Sequence, residues 1–177
     1  MGTKNIQDFL QKKEIRKEAM ENISGDYPLT KEIMLKYRDE LDWSRVSGNS
    51  SINWTVDMIK TFEHLIDWKM FSCNVDERLL CDELIEQFKD SWDWKELSGN
   101  SCLRLTYELI DKYIDKWDWS AILRWGRWNR MDSILSLEFL NRYQQYLPID
   151  ELKTSQLWKT IIDNEVEAIK KEFAFNS

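Results

Sequence analysis

Few side chains in this 177-residue sequence could do chemistry. Its single histidine, His64, would need a nucleophile or a substrate within hydrogen-bond reach to act as a general base, and no partner stands out near it. The three cysteines, Cys73, Cys81 and Cys102, contain no CxxC pair, so they frame neither a zinc site nor a disulfide scaffold, and their odd number suits a reducing compartment. Serines recur in Ser47-Gly48-Asn49 and Ser98-Gly99-Asn100, but a serine that repeats without a base beside it makes a poor nucleophile. There is no glycine-rich phosphate loop. The expectation is a protein that is not an enzyme and takes no metal and no cofactor.

Charge narrows the partners. The formal net charge is −7, which disfavours general attraction to phosphate backbones. The excess is local: residues 30–120 hold 19 Asp and Glu against 12 Lys and Arg, while the flanks balance. Many of these acids fall where helix caps and helix dipoles want them; the rest would make either a solvated face or a docking surface for a basic protein.

One segment breaks with its surroundings. Arg124-Trp125-Gly126-Arg127-Trp128-Asn129-Arg130 brings three arginines and two tryptophans together. Such a mix suits a binding hot spot, with Arg124, Trp125, Arg127, Trp128 and Arg130 as the contact residues. It also suits stacking on a nucleotide or a single-stranded nucleic acid. The competing structural reading has both indoles packed between neighbouring elements and the guanidinium groups neutralising nearby acids.

The elements that would position these residues repeat. Asp-Trp recurs at Asp42-Trp43, Asp67-Trp68, Asp93-Trp94 and Asp118-Trp119, with tryptophan separations of 25, 26 and 25. Thirteen residues before each Trp lie Thr30, Thr55, Cys81 and Thr106, three of them good helix N-caps. Counting from those caps, apolar residues stand at +3 (Ile33, Met58, Leu84, Leu109), +4 (Met34, Ile59, Ile85, Ile110) and +7 (Tyr37, Phe62, Phe88, Tyr113), which is one helical stripe. The residue before each cap (Leu29, Trp54, Leu80, Leu105) is placed for a hydrophobic staple. The pattern predicts a first helix of two to three turns. A second, shorter helix is capped by the Asp and joins each Trp to an apolar partner three residues on, at Val46, Phe71, Leu97 and Ile122. Gly48 and Gly99 are expected to end that helix in the left-handed conformation, with Cys73 giving repeat two a different corner.

The stretch Leu105 to Trp119, ending Lys116-Trp117-Asp118-Trp119, and the stretch Asp90 to Asn100, with Trp92-Asp93-Trp94 and Leu97-Ser98-Gly99-Asn100, resemble short tandem repeats with a Trp-Asp-Trp and Leu-Ser-x-Asn core. Such repeats are found in uncharacterised proteins of Bacteroidota-type bacteria and of giant viruses. The resemblance spans about residues 29–122 and brings no assigned activity with it. Repeat four departs from it with Leu123-Arg124-Trp125 in the Ser-Gly-Asn place.

The expected fold is all-α, a short-unit helical repeat array (α-solenoid-like) with longer capping helices at both ends. Residues 1–177 would form one domain: an N-terminal cap over 1–28, four repeats over 29–122, an insertion and a degenerate fifth repeat starting at Ser136 over 123–159, and a C-terminal capping helix over 160–177. Every Asp-Trp indole should be largely buried, because a unit of about 25 residues cannot bury its own stripe and must stack on neighbours. No apolar stretch is long enough to cross a membrane, and no secretion signal opens the sequence, so the expected location is the cytoplasm. The expected function is a non-enzymatic protein-binding module, with an immunity or inhibitor protein that occludes its partner as one form. The alternative is a nucleotide or single-stranded nucleic-acid binder at Arg124–Arg130.

Overall fold

The computed structural model describes residues 12–125 and 136–175. The described residues form twelve helices and no strand. The chain divides into two compact bodies, Met1–Val75 and Asp76–Ser177.

In the first body, α1 (Lys12–Asp26) is followed by two pairs of short helices, α2 (Lys31–Lys36) with α3 (Trp43–Gly48) and α4 (Val56–Phe62) with α5 (Trp68–Asn74). The second body holds α6 (Asp82–Gln87) with α7 (Trp94–Ser98), α8 (Tyr107–Lys112) with α9 (Trp119–Trp125), α10 (Leu137–Tyr143) with α11 (Ile149–Leu152), and then α12 (Gln156–Phe175). The Asp-Trp helices form the packed rows: α1 contacts α3 and α3 contacts α5, while α7 contacts α9, which also meets α11 and α12.

Local chemistry explains where each helix begins. The hydroxyls of Thr30, Thr55, Thr106 and Ser136 accept from the backbone N–H three residues on, at 3.4, 3.2, 3.1 and 3.3 Å. Cys81 makes no such bond, so α6 starts without its side-chain cap. The carboxylates of Asp42, Asp67, Asp93 and Asp118 all cap their helices, the last accepting from the Ala121 N–H at 2.8 Å. Pro148 stands in the Asp place before α11 and offers no cap.

Two expectations need correcting. The first helices are six or seven residues long, under two turns, because the chain tightens after the +7 residue; Glu40, for example, donates to the Tyr37 carbonyl three residues back. The corner glycines are not left-handed. Gly99 has φ −91° and ψ −5°, and Gly48 is the last residue of α3, before Asn49 at φ −78°. Gly48 is small for a different reason: a Cβ there would stand 3.1 Å from the Met70 methyl of α5, so its lack of a side chain lets the next helix approach. Cys73 does alter the corner of repeat two, where α5 runs through it to Asn74 and is capped by Val75.

The Asp-Trp indoles are largely buried, as expected: Trp119 is buried, and Trp43, Trp68 and Trp94 keep a minor part of their surface exposed. Each of these three donates its ring N–H to the carbonyl five residues earlier, at 2.8, 3.1 and 3.0 Å, which holds one edge at the surface. The deeper core position lies two residues before each Trp. Leu41, Ile66, Trp92 and Trp117 are buried there, and Trp92 and Trp117 donate to the Ile85 and Ile110 carbonyls.

Candidate binding surfaces

The Ser-Gly-Asn corners are joints, not reactive sites. Ser47 Oγ donates to the Trp43 carbonyl of its own helix at 2.6 Å and accepts the Asp67 N–H of the next repeat at 2.9 Å. Ser98 does the same between the Trp94 carbonyl and the Asp118 N–H. Ser24 at the end of α1 repeats the arrangement with the Met20 carbonyl and the Asp42 N–H. All three hydroxyls are buried and hold both a donor and an acceptor bond, so none is disposed to attack a substrate. Asn49 adds a second clasp, its buried amide donating to the carbonyls of Ser24 and Tyr27.

Aromatic contacts follow the same register. The indole of one repeat packs on the +7 ring of the next: Trp43 on Phe62 at 5.0 Å, Trp94 on Tyr113 at 4.7 Å and Trp119 on Tyr143 at 5.3 Å between centroids. Where the +7 residue is Tyr, an acid five residues past the preceding cap receives its hydroxyl, Glu86 for Tyr113 and Asp111 for Tyr143. Lys112, Tyr113 and Lys89 around Glu86 hold that carboxyl down to about 2. Burial and the Asp111 carboxylate push the Tyr143 phenol well above its ordinary value.

Several acids of the charged stretch are likewise engaged within the fold. Arg16 pairs with Glu40, Lys31 with Asp57, Lys112 with Glu86 and Arg142 with Asp111. These pairs are largely exposed and contribute little each, but they link successive repeats and account for part of the acidic surface.

The Arg/Trp segment is described only at its start. Arg124 is exposed near the end of α9, with its guanidinium 3.9 Å from Glu151, whose other oxygen accepts from Ser120. It borders a shallow cavity of about 280 Å³ lined also by Leu123, Thr154 and Ser155. Arg127, Trp128, Arg130 and the side chain of Trp125 lie outside the described residues. His64 is exposed. Among the described residues no group of three His, Cys, Asp or Glu side chains could hold a metal ion, and no helix is long and apolar enough to cross a membrane.

A better-formed surface lies between the first two helices, where the sequence drew no attention to it. Between α1 and α2 runs a groove of about 360 Å³ lined mainly by apolar side chains, among them Met20, Ile23, Ile33, Tyr37 and Leu41, with Arg16 at its rim. Ile33 is 39% exposed, whereas its counterparts Met58, Leu84 and Leu109 are buried. Met20 explains the opening. It bears the same relation to Ser24 that Trp43 bears to Ser47, so a flexible thioether stands where an indole would press on Tyr37. The signal was in the sequence: Ile23-Ser24-Gly25-Asp26 is a corner without a tryptophan before it.

The sequence matches no protein-family model, no curated protein and no solved structure, so function has to be read from these surfaces.

Proposed function

We propose that the chain is a non-enzymatic helical-repeat protein, solenoid-like in build, that binds another protein through the groove between α1 and α2. One observation carries this reading: the face of repeat one built from Ile33 and Tyr37 is open, while the equivalent faces of later repeats are covered. Exposed apolar surface of this kind, shaped as a groove, marks an interaction site. The occupant that fits is an aromatic side chain on a short helical segment, since an indole from the preceding repeat occupies the matching place against Phe62, Tyr113 and Tyr143.

An immunity or inhibitor protein of the cytoplasm, occluding a partner's surface, is the specific form we favour. The net charge of −7 suits a basic partner through faster encounter. The nucleic-acid alternative draws no support from Arg124, whose guanidinium faces the Glu151 carboxylate.

A peptide spanning residues 38–49, which carries Trp43, serves as probe. Added to the whole protein and followed by amide chemical shifts, it should perturb Met20, Ile33 and Tyr37, and Ile33→Glu should abolish the perturbation. No shift at millimolar peptide, or shifts indifferent to Ile33→Glu, would remove the groove from consideration.

A further inference from the structure

The final helix, α12, is buried at its start on one face and increasingly exposed towards its end. Ile161 is buried, but Ile162, Val166, Ile169 and Phe173 are 39, 42, 60 and 79% exposed, rising along the helix. A capping helix that packed along its length would bury such a stripe. Their spacing is 4, 3, 4, which is the narrow seam of a coiled coil: Ile162 and Ile169 take d positions, Val166 and Phe173 take a positions.

The flanking charges choose the occupant. Glu165 and Glu172 fall at g positions, Asp163 and Lys170 at e positions. In a parallel, in-register pair, each g residue faces the e residue five positions on in the other helix, so Glu165 meets Lys170 of the second copy, twice by symmetry. An antiparallel pair would instead set Glu165 against Glu172 twice, cancelling what Asp163 and Lys170 gain. Lys170 pairs with Glu167 of its own helix at 2.7 Å, both groups being exposed, so exchanging that partner costs little.

We infer that α12 is a self-association element, binding a second copy of this chain through a parallel two-stranded coil over residues 162–173. This proposal is independent of the groove between α1 and α2. The seam is short, about 18 Å at 1.5 Å per residue. Four apolar positions a side make an interface smaller than the roughly 1,200 Å² of stable ones, so the association should be weak and reversible.

Sedimentation equilibrium of the full chain tests it, over concentrations from about 1 to 500 µM that span weak interface affinities. The expected result is a monomer–dimer equilibrium that Ile169→Asp abolishes, with an unchanged circular dichroism melt showing that the fold survives. Glu165→Lys and Lys170→Glu should each weaken dimerisation about tenfold, because each sets like charges face to face, and the double variant should restore it. A monomer at the highest concentration overturns the proposal, as does a higher oligomer or a dimer indifferent to Ile169→Asp. Single charge variants without effect, or a double variant that fails to recover, overturn the parallel pairing.

Discussion

The two faces of the first helices are a natural contrast. At the joint between α2–α3 and α4, Phe62 is fully buried beneath Trp43. One repeat earlier the matching ring, Tyr37, faces Met20 and a groove. The same stripe of cap-relative positions therefore serves as core in one place and as surface in the other, and the change that accompanies it is four residues before the Ser, where Met20 stands in the place of Trp43. Whether a repeat's face is interior depends on its neighbour, not on its own sequence.

The sharpest test is truncation at the two rings. Phe62→Ala should cost about 3–5 kcal/mol, because it empties a closed aromatic site, while Tyr37→Ala should cost less than about 1 kcal/mol, because the groove is already open. Urea denaturation of both variants measures the difference, and equal losses would abolish the contrast.

Serines give the next effect. Ser98→Ala leaves the Asp118 amide without its partner at a buried joint and should cost about 1–3 kcal/mol. Ser44→Ala, at an exposed hydroxyl bonded to Asp67, should stay within about 0.5 kcal/mol. Comparable losses in the two melting curves would mean that the joint hydroxyl is not special.

Glycines sharpen the contrast by sign. A Cβ on Gly25 meets nothing nearer than Arg45 at 3.9 Å, so Gly25→Ala should stabilise by about 0.4–1 kcal/mol through the unfolded chain. At Gly48 the Met70 methyl is already 3.1 Å from the same atom, and the substitution should gain clearly less. An equal gain at both would show that α5 tolerates a bulkier joint.

The smallest effect is in pH. Glu86 is depressed to about 2 in the folded chain, so what it adds to stability is fully present above its ordinary value near 4.5 and disappears as pH falls towards 2. Melting temperatures between pH 5 and pH 2.5 should fall less steeply in Glu86→Gln than in the parent, and parallel slopes would dismiss the Tyr113–Lys112–Glu86 link.

Much of the helical pattern could be read from spacing alone, since caps and apolar periodicity are local. Thr30, Thr55, Thr106 and the four Asp caps all act as their types require. What spacing could not reveal is contact between copies. Nothing about Ser47 in a single repeat says that it receives the amide of Asp67, and nothing about Gly48 distinguishes a helix-ending twist from room for Met70. The groove escaped notice because Met20 is an ordinary apolar residue until it is aligned with Trp43. The predicted C-terminal cap over 160–177 begins at Gln156 instead, and its stripe past Ile161 remains exposed, because helical periodicity shows that a face is apolar without showing what meets it.

The serine joint has a consequence for how such a chain can grow. Ser24, Ser47 and Ser98 each receive the amide of the aspartate that opens the next Asp-Trp helix, so these three fastenings have interchangeable halves, whereas Leu123 in repeat four and Pro148 before α11 lack them. A duplicated segment cut at any of these points would arrive with matching ends. Lengthening or shortening the protein then needs no new invention at the seams, only one more identical clasp.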